Sequence, residues 1–398
     1  MNITIGNAVR GDDFFDREEL LDEIWQTLAT DSVLLAAPRR VGKTSVMLHL
    51  RDDPADGFRV IFLDGQGYST AEDLVADLFV QAGRLCQDWR RLAARALGQA
   101  LEQVQAMEIW EFGIELRKKL PGRWKEQGEQ AIRDALGDEG KLLLIIDELP
   151  LLLHKMVRDD HERGKEKAQD LLDWLRYLRF QPDLGPRLRQ LVGGSIGMAR
   201  IAAYVEATHK INDLRQIEVG LLSAAKAREL SASLLVSRGV APDAALVAAM
   251  LDQVGTFRPI YIQIMASAIA AEVGQHDDMP AAELAEICYE QRAMGPEYRI
   301  CFEDYYERLG RYYTPDEARV ARRILRDLAL APGPVAKPKL LATYQAELGH
   351  KADPAKFDLL LTWLRDDFYV EQDNDGTTVE FKDKWLRDWW RRHHASGD

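Results

Sequence analysis

The chain has 398 residues, 46% hydrophobic and 29% charged, which excludes a disordered polypeptide and is enough for two or three domains with real cores. Fifty-two Lys and Arg against 65 Asp and Glu give a formal charge of −13, so the chain as a whole offers no electrostatic footprint for nucleic acid or an anionic membrane; only a local basic patch would serve. Cys86, Cys288 and Cys301 lie far apart without metal or redox spacing and read as core fillers, no apolar run approaches a membrane-spanning length, and the N-terminus lacks a basic-then-apolar leader, so a cytoplasmic protein is expected.

Residues 11–28, GDDFFDREELLDEIWQTL, pass from a polar turn into an amphipathic helix with Leu20, Leu21, Ile24, Trp25 and Leu28 on one side. Asp16 is placed to cap it, with Glu19 three positions later as a capping box requires. Residues 31–50, DSVLLAAPRRVGKTSVMLHL, then read as strand, phosphate loop and helix. The apolar run Val33 to Ala36 is the strand. The loop is Ala37, Pro38, Arg39, Arg40, Val41, Gly42, Lys43 and Thr44, and the helix begins at Ser45. Successive backbone N–H groups at a helix N-terminus make a concavity suited to a triphosphate. Gly42 permits close approach, Lys43 reaches the β- and γ-phosphates of ATP, and the Thr44 hydroxyl completes the shell of Mg²⁺. Ala37 stands where the G-x-x-x-x-G-K-[ST] pattern has its first glycine; its methyl is tolerated if its φ is negative.

The aromatic-aromatic-x-Arg-Glu-Glu box at Phe14 to Glu19, ahead of an R-R-x-G-K-T-S loop, resembles the AAA+ ATPases of the archaeal-type ATPase group, close to the STAND signalling ATPases and the origin-recognition proteins. The resemblance implies that Phe15 and Arg17 border the adenine of ATP or ADP; an ordinary helix N-terminus is the alternative reading of the same residues.

Residues 59–65, RVIFLDG, read as a second buried parallel strand, with Asp64 either facing the phosphate site or simply ending the strand. Residues 70–137 are helical in composition, carry Trp89, Trp110 and Trp124, and are too long for one crossover helix, so a helical insertion on one face of the sheet is expected. KLLLIIDELP, residues 141–150, ends a buried strand in two carboxylates. Downstream of a phosphate loop, Asp147 fits the Walker B carboxylate that holds Mg²⁺, and Glu148 fits the base that orients and deprotonates water.

A helix over 165–180 is followed by the run RQLVGGSI at 189–196. The resemblance makes Ser195 a sensor that hydrogen-bonds the γ-phosphate, with a glycine-rich turn as the plainer reading. Arg176, Arg179, Arg187 and Arg189 lie where related ring-forming ATPases keep an arginine finger; solvated helix charges are the other reading, and the better one for most of them. After Asn212 the pattern is helical, with helices over 221–239 and 242–255 and a third opening at Thr256-Phe257-Arg258-Pro259. By resemblance this is the lid over the base, its turn placing Pro259 beside the nucleotide and leaving Arg258 either as a second γ-phosphate sensor or, by slight preference, in solvent. Helices over 315–329, 337–348 and 354–367, a hairpin FYVEQD-NDG-TTVEFKD and a last helix with Trp385, Trp389 and Trp390 make a winged-helix pattern. Its third helix sets Lys356 and Arg365 against Asp358, Asp366 and Asp367, which disfavours reading of duplex DNA; Arg387, Arg391, Arg392, His393 and His394 form a small basic end.

The expected architecture is α/β: a parallel-sheet P-loop NTPase (AAA+) core over 1–215 with its insertion near 70–137, a helical lid over 216–300 and a winged-helix domain over 301–398. The expected function is an ATP-hydrolysing switch, STAND-like, that couples nucleotide state to self-association or a protein partner. The alternative is a DNA-binding loader resembling origin-recognition proteins.

Overall fold

The computed structural model describes residues 8–38, 40–86, 88–104, 107–138, 140–194, 197–275 and 279–395. It divides into two compact units, one of Arg17–Val219 and one of Gly220–Asp398 with the N-terminal segment ending at Asp16.

The first unit is built on a five-stranded parallel sheet. Its strands are β1 (Val33–Ala36), β2 (Phe58–Asp64), β3 (Lys141–Asp147), β4 (Leu188–Gly194) and β5 (Arg215–Glu218), in the order β2-β3-β4-β1-β5. β3 lies inside the sheet between β2 and β4 and is covered on both faces, which is why it reads as an unbroken apolar run: Leu142 to Ile146 are all buried. β5 is an edge strand in which only Ile217 is buried, and its polar sequence carries no comparable signal. β1 stands between β4 and β5, with Ala36 level with Gly194 on one side and Glu218 on the other. Every strand therefore points its C-terminal end to the same edge of the sheet, where an open parallel sheet places ligands.

The described residues of the 70–137 stretch form five helices. Ala71–Leu85 opens on a true capping box, Thr70 with Asp73, and packs against β2. Trp124–Leu136 packs against β3 and approaches the helix Gly164–Phe180 at Gly128, where a Cβ would lie 2.6 Å from the Trp174 ring. The Trp174 indole donates to the Lys125 carbonyl at 3.1 Å, fixing that approach.

The second unit is helical apart from one small sheet. Helices Ala224–Ser237, Ala244–Val254 and Pro259–Glu272 lead through Ile300–Tyr312 to Pro315–Leu330, Lys337–Leu348 and Pro354–Asp366. A three-stranded antiparallel sheet, β6 (Val335–Ala336), β8 (Thr378–Phe381) and β7 (Val370–Gln372) in spatial order, precedes the final helix Lys384–His394. One hydrophobic cluster runs from Leu222 to Trp390 and contains Trp385, Trp389 and Trp390. Tyr261 stacks on Trp385 with centroids 4.3 Å apart, tying the helix Pro259–Glu272 to the last helix. Cys288 and Cys301 are buried here as expected of core residues, whereas Cys86 is only half-buried. Among the described residues no helix is long and apolar enough to cross a membrane.

The N-terminal cap differs from the expectation. Asp16 has φ 53°, in the left-handed region, and the helix Glu18–Leu28 starts after Arg17 with no side-chain cap. The left-handed turn takes Asp16 out of capping geometry, so the expected box with Glu19 does not form.

Candidate active site

The loop between β1 and the helix Lys43–Asp52 follows from its residues. Ala37 is fully buried and its φ lies outside the left-handed region, so its methyl packs in the core where the motif has glycine. Gly42 is the position that needs glycine: its φ is 101°, and it hands the chain directly into the helix. Arg40 also takes a positive φ, 65°. Arg39 lies outside the described residues.

Lys43, Thr44, Asp147 and Glu148 are brought together. The Lys43 ammonium pairs with Asp147 Oδ1, and the Thr44 hydroxyl donates to Asp147 Oδ2 at 2.8 Å. Glu148 Oε1 is 3.5 Å from the same ammonium. Lys43 and Asp147 are buried, and Ser45 is buried in the helix one residue beyond Thr44. Glu148 sits at φ 51°, ψ 33°, an uncommon conformation for a non-glycine residue, and its N–H donates to Asp147 Oδ1 at 2.9 Å.

Three features of this edge carry no motif. Asp64 is level with Asp147 in the sheet and accepts from the Gln66 N–H at 2.9 Å. Burial, together with the charges of Asp147 and Glu148, pushes its carboxyl above the ordinary range, so a third acid stands beside the pair. Gly65 follows, and a Cβ there would lie 2.8 Å from the Glu148 carbonyl oxygen and 3.0 Å from that of Asp147. On β4, a Cβ at Gly193 would lie 2.2 Å from the Met47 methyl and 3.3 Å from Lys43 Cδ, so the bare backbone makes room for the lysine stem. The sequence signal for all three is the same: a small or acidic residue at the C-terminal end of an apolar run.

Arg17 reaches the loop. Its guanidinium donates to the Val41 carbonyl at 3.1 Å and is 9% exposed, so it braces the phosphate loop from behind. Phe15 belongs to the other unit, where the Lys226 ammonium lies 5.4 Å from its ring centre. Ser195 lies outside the described residues, and Pro259 opens the helix Pro259–Glu272, half-buried.

No protein-family model matches the sequence, and no curated protein does. Among solved structures, the chain is similar to the Walker-type ATPase PABY2304 of Pyrococcus abyssi, with TM-score 0.61 and 18% identity over 98% of this chain and 99% of that one. It is also similar to the ORC2 protein of Aeropyrum pernix, solved as ADPNP-ADP complexes, with TM-score 0.52 and 11% identity over 94% and 92%. The chain shares the fold of these two structures, a Walker-type ATPase and an ORC2 protein.

Within this fold, two groups of charged residues have positions other than those expected. Arg176 donates to the His209 carbonyl at 2.6 Å and pairs with Asp213; Arg179 pairs with Asp213 at 2.6 Å and donates to Gln190 at 2.8 Å. Arg187 donates to the Gly140 carbonyl at 3.0 Å and Arg189 to that of Leu28 at 3.0 Å. All four tie strands, helices and loops of the sheet unit together, Arg179 from a buried position and Arg176 from one 31% exposed. Arg258 is 2% exposed and pairs with Asp383 at 2.9 Å. Burial alone would lower its pKa, but the Asp383 charge and the Tyr261 and Tyr305 hydroxyls outweigh it and raise it. The solvent reading of Arg258 is therefore corrected. The fully buried Asp383 determines its position.

Proposed function

We propose that the chain binds ATP and hydrolyses it slowly, and that the nucleotide state switches self-association or recruitment of a protein partner. The observation that carries the chemistry is the convergence of Lys43 and Thr44 on the Asp147 carboxylate, with Glu148 beside it. The likeness to ORC2, solved as ADPNP-ADP complexes, supports an adenine nucleotide as ligand. Asp147 and Thr44 fit Mg²⁺: they are hard oxygen donors, and the carboxylate already holds a cation, the Lys43 ammonium. When bound, Mg²⁺ supplies charge neutralisation on the phosphate oxygens.

In this reading the loop Ala37–Thr44 holds the phosphates through its backbone N–H groups, which Pro38 lacks, and Lys43 leaves Asp147 for the γ-phosphate. Glu148 orients a water and takes its proton as the water oxygen bonds to phosphorus and the bond to the ADP oxygen breaks. Ser195 hydrogen-bonds the γ-phosphate, and Phe15, Arg17 and Pro259 lie around the base, Arg17 acting through Val41. Residues 1–215 serve as core, 216–300 as lid and 301–398 as a winged helix, with the core-lid angle changing between ATP and ADP.

The second reading, a DNA loader, draws on the ORC2 likeness. The C-terminal charges weigh against it. Arg391 donates to the Ala329 carbonyl at 2.6 Å and Arg392 to that of Glu290 at 3.0 Å, while Lys337 pairs with Asp358 of the third helix at 2.8 Å. Light scattering with ADP or a non-hydrolysable ATP analogue, with and without a duplex oligonucleotide, separates the two. A mass shift with ATP analogue alone supports the switch; a shift only with duplex supports the loader. For the chemistry, Glu148→Gln is expected to lower turnover by roughly 10²–10⁴ with ATP binding retained. Unchanged turnover would remove Glu148 as the base.

A further inference from the structure

On the helix Pro315–Leu330, Arg319, Arg322, Arg323 and Arg326 stand at i, i+3, i+4 and i+7, so four guanidinium groups share one face over about 10 Å. They line a cleft of ≈ 430 Å³, and among the described residues Glu347 is the only carboxylate in its lining. Some exposed arginines of this unit have a glutamate one turn away on their own helix, as Arg299 has Glu303 at 2.7 Å and Arg311 has Glu307 at 3.1 Å. Here four like charges stand on adjacent turns, with Asp316, Glu347 and Asp327 beside Arg319 and Arg323, and a further anion among them would ease their mutual repulsion.

The side chains are also held in position. Arg319 donates to the Glu347 carbonyl and to Asp316, each at 2.9 Å. The Arg322 guanidinium carbon lies 4.5 Å from the Tyr306 ring centre, and Arg322 Nε is buried with no hydrogen-bond partner among the described residues. Tyr306 is itself fixed by the His394 ring, stacked with centroids 3.8 Å apart. Arg323 is 3.7 Å from Asp327, beyond hydrogen-bond distance, and its side chain is exposed.

We propose that this cleft binds a compact phosphorylated anion, a nucleotide or an inorganic polyphosphate, through residues none of which belong to the phosphate loop. The planar guanidinium fork matches phosphate oxygens bidentately, and the volume suits a small ligand. An extended polyanion is disfavoured because Glu347 and Asp316 close one side and the chain carries −13 overall.

The test is calorimetric titration of inorganic tripolyphosphate into the full chain carrying Lys43→Ala, which disables the phosphate loop. Saturable binding is expected, weakened at least about tenfold by Arg322→Gln/Arg326→Gln and by Arg323→Glu. Arg323→Glu alters an exposed side chain, so the test survives if the double variant disturbs packing around Tyr306, which near-ultraviolet circular dichroism reports. ATP in the same background distinguishes the sources: tighter binding than tripolyphosphate assigns a nucleotide, equal binding a polyphosphate. The proposal fails if Lys43→Ala abolishes all binding, if the arginine variants bind as their parent, or if only duplex DNA binds and tripolyphosphate does not compete.

Discussion

Two buried ion pairs, one in each unit, use the same chemistry for opposite ends. Lys43–Asp147 joins a flexible point charge to a carboxylate that also accepts the Thr44 hydroxyl, and a second carboxylate, Glu148, stands 3.5 Å from the lysine. Acids exceed bases there, and Asp64 adds to the excess. Arg258–Asp383 is balanced one to one and closed by tyrosines: Tyr261 donates to Asp383 at 2.8 Å, and Arg258 donates to the Tyr305 hydroxyl at 3.2 Å. Asp383 also accepts from the Leu386 N–H at 3.1 Å, so the pair caps the final helix as well. A pair with surplus negative charge and a mobile cation is suited to exchanging that cation for another; a balanced pair with every neighbour fixed is suited to staying shut.

Removing one partner from each pair tests that contrast most strongly. Asp383→Ala leaves a buried guanidinium with no carboxylate and an uncapped helix, and is expected to cost about 3–5 kcal/mol in denaturant unfolding. Asp147→Asn leaves Lys43 the Glu148 carboxylate and is expected to change stability by less than about 1 kcal/mol while abolishing Mg²⁺-dependent ATP binding. Similar losses of stability in the two variants would break the comparison.

A smaller change sharpens the first half of it. Gly65→Ala puts a methyl group 2.8 Å from the Glu148 carbonyl oxygen, where backbone rather than a flexible side chain must give. The expected cost is about 1–3 kcal/mol of stability from overpacking. Displacement of Glu148 is expected to lower turnover by roughly tenfold to a hundredfold, with ATP affinity changed little. Steady-state kinetics beside equilibrium nucleotide binding would show the split; equal losses in both would mean that the strand end supports the loop rather than the base.

The two pairs also differ in how far the sequence discloses them. Lys43, Thr44, Asp147 and Glu148 sit in local patterns, an apolar run followed by a fixed set of small, basic or acidic residues, so their meeting is legible in the order of residues alone. So are β2, β3 and β4 and the C-terminal helices, whose apolar spacing is set by burial of a face. Arg258 and Asp383 are separated by more than a hundred residues, and nothing local marks either as a partner. The same is true of Arg179 with Asp213 and of Arg189 with the Leu28 carbonyl, whose arginines read as solvated helix charges because a long side chain's destination lies outside its own segment. Asp16 misleads for a different reason: its side chain is that of a cap, but the backbone takes the left-handed turn that brings Arg17 beside Val41. β5 and β6 are short edge strands with too few buried residues to leave a period.

The smallest expected effect concerns the closed unit alone. His394 packs on Tyr306, Trp389 and Trp390 at the end of the last helix. Burial lowers its pKa below the ordinary 6.5, aided by His393, Arg299 and Arg322 and opposed by Glu303. The folded state therefore prefers the neutral ring more than the unfolded state does. Above the unfolded value both are neutral and nothing is lost; as pH falls below about 6.5 the unfolded chain takes up the proton first, and stability drops until the folded ring is protonated too. Melting curves between neutral and mildly acidic pH should show this loss, and His394→Phe, which keeps a ring on Tyr306 but cannot titrate, should reduce it. A pH dependence unchanged in His394→Phe would place the titration elsewhere, with His393, whose pKa burial also lowers, as the next group to replace.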